Sequence, residues 1–178
     1  MRRAVVVILA LALVTCREKK PLTADLNREN KVAVRPVRLF YETPDMLLAP
    51  EIRNVALPES PNSALPVVVR ELIKGPGKKE TPRLFPADTI VRAAYLLPDG
   101  TVIVDLGGPT ITTGWGTGSH QELMAVYSVV ETATSNFADA RRVRFLVNGG
   151  PAETLAGHIS LARSLPPMPS LVDRRVAP

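Results

Sequence analysis

The sequence predicts an α+β fold. The expected form is a two-layer βαββαβ arrangement in which a mixed four-stranded sheet carries two helices on one face. Three observations point there. Residues 89–106 read TIVRAAYLLPDGTVIVDL, two apolar runs rich in β-branched residues around Pro98-Asp99-Gly100. Proline presets φ and glycine accepts the positive φ of a tight turn, so the pair reads as an antiparallel hairpin. Two stretches, near 63–74 and 119–134, carry apolar residues at helical spacing. Two further alternating runs, 37–41 and 143–147, stand before the first helix and after the second. A lone hairpin is marginal, so both outer runs are expected to pair with it, and the helices to cover one face.

The chain opens with Met1-Arg2-Arg3, an apolar run from Ala4 to Val14, and Cys16. A short basic region before an apolar run too short to span a bilayer is a secretory signal pattern, assigned to residues 1–15. Leu13-Val14-Thr15-Cys16 resembles the lipobox of bacterial lipoproteins, which makes Cys16 the lipidation residue and the membrane a partner through the anchor. Thr15 stands where that motif usually has a smaller residue. The alternatives are an ordinary cleaved signal or an uncleaved anchor. Cys16 is the only cysteine, so no disulfide can form within the chain.

Without residues 1–15, Lys plus Arg falls from 22 to 20 against 17 acidic residues, a net charge of +3. That is too weak and too scattered to argue for nucleic acid. With aromatics at 4%, the core must be aliphatic.

Residues 16–35 are polar, without periodicity, and read as a flexible tether. A domain over 36–163 follows. Val37, Leu39 and Tyr41 alternate with polar or outward positions as a half-buried strand, and Thr43-Pro44-Asp45 turns the chain. The stretch 46–57, broken by Pro50, is expected to be irregular or to form short extended pieces. Ser63 is placed to cap the first helix, whose stripe is Leu65, Val68, Val69 and Leu72, with Gly75 and Pro76 as its stop. After the hairpin, Ser119-His120-Gln121-Glu122 has the form of a capping box. The second helix would bury Leu123, Val126, Tyr127, Val130 and Ala133. Val143, Phe145 and Val147 mark the last strand, and 153–159 a short edge piece. The Pro-rich residues 164–178 are expected to be disordered.

No catalytic constellation is visible. Gly114-Trp115-Gly116-Thr117-Gly118 precedes a helix but is neither a Walker nor a dinucleotide fingerprint. Trp115 is either a lid on the sheet or an exposed contact residue. Asp105, His120, Glu122 and His158 lack the spacing of a zinc site. His120 is expected to be solvated, Glu122 to be used in the cap, and Asp105 to bond the turn amides after Gly107. No metal and no cofactor is expected. Arg141, Arg142 and Arg144 form a basic strip that either protects an edge strand or contacts an acidic partner, an anionic lipid or a glycan.

The order of several short pieces resembles a family. They are Leu39-Phe40-Tyr41, Leu47 to Arg53, Glu71 to Pro76, Phe85-Pro86, Gly100 to Leu106, the helix ending Val130-Glu131-Thr132, and Val147-Asn148-Gly149-Gly150. Together they are similar to the GerMN domain, named from a spore germination protein, over roughly 37–158. The resemblance implies a non-enzymatic interaction module in the bacterial envelope, often lipid-anchored. Its partners would be envelope proteins or peptidoglycan, or further copies of itself. The competing readings are a lipoprotein that binds a glycan or small molecule near 114–118, and an envelope hydrolase.

Overall fold

The computed structural model describes residues 31–175, so the signal segment, Cys16 and most of the tether lie outside the described residues. The first elements are strands β1 (Val32–Glu42) and β2 (Leu48–Pro58), joined antiparallel, and helix α1 (Pro61–Ile73). Strands β3 (Ile90–Leu96) and β4 (Thr101–Gly107) form the central hairpin. A short helix α2 (Pro109–Thr113) leads to the long helix α3 (Ser119–Asn136), followed by β5 (Arg142–Val147) and the two-residue β6 (Gly150–Pro151). A 3-10 turn, Pro169–Leu171, lies near the end.

The fold is α+β, with a mixed four-stranded sheet in the order β3-β4-β5-β6 and a separate β1-β2 ribbon. β4 and β5 run parallel, with α3 in the crossover between them. Val102, Val104, Leu106, Val143 and Phe145 are fully buried on one face of the sheet. Alternation turns Ile103, Arg142, Arg144 and Leu146 to the other face, where they are half-buried. Both long helices pack on the buried side. Among the described residues no helix is long and apolar enough to cross a membrane.

The ribbon departs from expectation in two ways. The stretch containing Pro50 is a regular strand of 11 residues, and β1 already begins at Val32, inside the expected tether. The register explains both prolines. Phe40 faces Pro50, and Pro36 faces Asn54. The amides of Arg38 and Phe40 are used away from β2, so in this ribbon the even positions of β1 and their partners send their N–H groups outward. Proline there removes no ladder bond.

A third departure is the pairing of β1. Instead of joining the central hairpin, its free edge lies against α3. Phe40 N donates to Thr132 Oγ1 at 3.1 Å and Arg38 N to Asn136 Oδ1 at 3.0 Å. Asn136 Nδ2 returns a bond to Arg38 O at 2.7 Å. Thr132 and Asn136 are four apart, on one helix face. The helix thus does for β1 what a third strand would do.

Helix α1 starts at Pro61, earlier than the expected Ser63, with Ser60 as N-cap. Gly75 ends it at φ +94°, as its stop signal implies. Asn148 and Gly149, both at positive φ, turn β5 into β6.

The Pro-rich end corrects the expected disorder up to Arg175. Leu165 bridges antiparallel to Val143, with Val143 N–Leu165 O at 2.8 Å, and Asp173 N donates to Leu48 O at 2.8 Å. Proline-rich composition removes the donors needed for a ladder, but single contacts between prolines suffice to dock this strap.

Candidate functional site

The stretches that carried the family resemblance meet in space. At the C-terminal end of α1, Tyr41 Oη lies 2.9 Å from Gly75 O and 3.1 Å from Leu72 O. Arg53 reaches Gly75 O at 3.2 Å and both carboxylates Glu51 and Glu71. Glu51 also accepts from Gly77 N at 3.0 Å. These groups satisfy carbonyls that a helix end leaves without partners. Burial pushes the Tyr41 hydroxyl up to about 12, with Arg53 opposing it. The signature is therefore a clamp of the helix end onto the ribbon.

Glu122 is wholly buried and does not cap α3; the N-cap is Gly118, with no side-chain cap bond. Its carboxylate accepts from the amides of Leu155, Ala156 and His158, each at 2.8 Å, and of Ile159 at 3.2 Å. His158 Nδ1 adds a contact at 3.2 Å. Residues 155–159 are therefore not an edge piece; they wrap the carboxylate. Burial pushes its pKa up, but the backbone amides outweigh burial and hold it below the usual carboxylate range.

Glu131, on the same helix, is the opposite case. It is 6% exposed and receives one amide, Met168 N, at 2.7 Å. Burial wins, and its pKa is raised. The folded state thus favours the protonated form. The associated stability is fully present below the unfolded pKa and is lost as pH rises through the folded value. Glu131→Gln is expected to raise the melting temperature at pH 7 while leaving it little changed in acid. A thermal unfolding series over pH measures this, and a lower melting temperature at both ends would refute it.

The other singled-out residues separate. Asp105 Oδ1 accepts from Gly149 N at 2.9 Å, in the turn after β5 and not the one after Gly107, and Oδ2 from Arg92 Nε at 3.2 Å. His120 Nε2 lies 2.6 Å from Glu42 Oε1, so it is paired as well as exposed. Only Glu122 and His158 come together. Among the described residues no group of three or more His, Cys, Asp or Glu could hold a metal ion.

Trp115 stacks on Phe85 with ring centroids 5.8 Å apart, half-buried against the core. The three arginines divide. Arg142 Nη2 pairs with Asp99 Oδ2 at 2.7 Å and Nε donates to Thr101 Oγ1 at 2.8 Å; Arg144 donates to the Ala162 carbonyl. Arg141 lies over Gly100 instead, whose φ of +80° and close contacts leave no room for a Cβ. Arg142 and Arg144 share the outer sheet face with exposed Tyr95, which lies in one row with Ile103 and Arg144.

Sequence reasoning missed Glu131, Thr132 and Asn136 as anchors. The available signal was a set of polar side chains at Ser128, Glu131 and Thr132 inside an otherwise apolar helix run.

These features define a class: a small α+β module whose buried carboxylates are committed to holding its own loops and turns. The chain belongs to the Germane family, described as sporulation and spore germination, whose model matches residues 38–153. In solved structures it is similar to a Clostridium perfringens protein described as a putative lipoprotein, at 14% identity and TM-score 0.54, over 80% of this chain and 93% of that one. That likeness shows the fold. It is also similar to the tandem GerMN domains of the sporulation protein GerM from Bacillus subtilis, at 21% identity and TM-score 0.48, over 75% of this chain and 46% of that one. The first GerMN domain of the same protein aligns at 20% identity and TM-score 0.44, over 80% of this chain and 98% of that one. No match is found among curated proteins.

Proposed function

We propose that this protein is a lipid-anchored module of the cell envelope that acts by binding another envelope protein, without catalysis. The observation that carries the reading is the outer sheet face, where Tyr95 (40% exposed) stands in one row with Ile103 and Arg144, and Arg142 lies on the same face. Exposed apolar and aromatic side chains next to cations are the composition of a binding surface. Family membership supports an association with sporulation or germination, and the description of the Clostridium perfringens relative supports an anchored state.

Reversing Arg141, Arg142 and Arg144 to Glu is expected to reduce recovery of envelope partners in a pull-down, and added salt to weaken wild-type recovery. Because Arg142 and Arg144 also bond to the fold, the triple variant should melt lower. Tyr95→Ser, whose hydroxyl bonds to nothing among the described residues, supplies the control with an unchanged melting curve. Equal recovery by wild type, the triple variant and Tyr95→Ser sinks the reading. Running the same assay against a tagged copy of the chain tests self-association.

The anchor is tested separately. Cys16→Ser is expected to release the protein from the membrane fraction or leave an unprocessed precursor, since each buried lipid methylene contributes about 0.8 kcal/mol. Metabolic lipid labelling that persists in Cys16→Ser would refute it.

A further inference from the structure

A groove of about 490 Å³ runs between the second half of α1 and the beginning of β3. Arg70 and Lys74 stand on its helix side and Arg83 on the following loop, with Ile73, Ile90 and Val91 supplying apolar lining. No acidic residue lines it. Lys74 is paired with Glu71, and Arg83 Nη2 donates to Ile73 O at 3.2 Å. Arg70 is exposed and makes no side-chain hydrogen bond or ion pair among the described residues. Thr89, 8% exposed, lines the same wall, and its buried hydroxyl has no hydrogen-bond partner. Three cations, of which only Lys74 has an acidic partner among the described residues, and an apolar wall thus line one surface, with an unused hydroxyl just beneath it.

The adjoining strand sharpens the kind of ligand. β3 is the outer strand of its sheet. Its far end is closed, because Asn62 Oδ1 accepts from Leu96 N at 2.7 Å. Its beginning, Thr89 to Val91, borders the groove instead. An outer strand offers backbone groups to another extended chain, and a helix beside it turns the edge into a groove.

We propose that this groove binds an extended acidic segment of a partner protein, laid along the beginning of β3. Its carboxylates meet Arg70, Lys74 and Arg83, and its alternate aliphatic side chains rest on Ile73 and Val91. A bare polyanion, such as a polymer phosphate, would satisfy the cations but leave the apolar wall wet. A period-two peptide satisfies both. The groove lies apart from Arg142 and Arg144, so its test stands whether or not the sheet face binds.

The test is fluorescence anisotropy with the full chain and a labelled peptide alternating glutamate and valine. Controls are the lysine–valine and glutamate–serine counterparts, with inorganic polyphosphate as competitor. The glutamate–valine peptide should bind, weaken with salt, and lose about tenfold or more in affinity with Arg70→Glu. Arg142→Glu should leave its affinity unchanged. Arg70 is exposed, so Arg70→Glu should melt as wild type does; Ile90→Ser provides a second variant that removes apolar wall without touching charge. Absence of binding, or equal binding by Arg70→Glu, overturns the proposal. So does equal affinity for the glutamate–serine peptide together with full competition by polyphosphate, which would assign the groove to polyanions. Loss in Arg142→Glu but not in Arg70→Glu would assign the peptide to the sheet face and also overturn it.

Discussion

Glu122→Ala is expected to lower stability by about 3–5 kcal/mol, because it leaves the amides of 155–159 buried without their acceptor. Against a typical total of about 5–15 kcal/mol, that unfolds a large fraction of the protein at moderate temperature. Glu122→Gln keeps one carbonyl oxygen in place and should lose less. The pH dependence has a definite sign. The folded carboxyl is held below its ordinary range, so its stabilisation is present above the unfolded pKa of about 4.3 and is lost as pH falls through the folded value. In Glu122→Gln this share of the acid sensitivity should vanish. Urea unfolding of wild type, Glu122→Gln and Glu122→Ala from pH 3 to 7 measures both effects. Parallel stability curves for wild type and Glu122→Gln would show that the amide nest does not act on the charge.

Val130→Asp is expected to abolish the cooperative fold. Val130 is fully buried on α3, whose flanking residues Val129 and Glu131 are buried as well. The helix therefore has no outward face at this level onto which an aspartate could turn. An unpaired carboxylate there costs several kcal/mol or takes up a proton, and the lost apolar burial adds roughly 1.5–3 kcal/mol. Circular dichroism should show loss of the thermal transition at pH 7. A wild-type transition would mean that α3 can rotate about its axis in the core.

Local signals in the sequence were enough to reveal the β3–β4 hairpin, the stripe of α1 with its Gly75 stop, and β5, because each depends on residues close together. β2 was hidden because Pro50 is harmless only on a strand whose alternate amides face outward, and that depends on which neighbour the strand has. The position of Glu122 invited a capping box by spacing, yet its partners lie 33 to 37 residues away. The same holds for Glu131 and the C-terminal strap. The clamp of Tyr41, Glu51, Arg53 and Glu71 was legible as a recurring pattern, without its purpose, since three separate elements must meet before the bonds exist. The sheet face and the α1–β3 groove were least legible, because exposure is set by what fails to cover a residue.

The edge of β1 closed by Thr132 and Asn136 has a consequence for how the chain acquires its structure. Those bonds join residues 92 and 98 positions apart. A ribbon made early, as the chain emerges from its N-terminus, must wait for most of the remaining sequence before its edge is occupied. Contacts this distant slow folding, because loop closure must be completed before they contribute. During that interval the ribbon presents unpaired backbone beside exposed Val32, Val34 and Ile52, a template for strand addition by another chain. Helix α3 thus acts as the terminator of an otherwise extendable ribbon, and the time before it docks is when the protein is most vulnerable to aggregation.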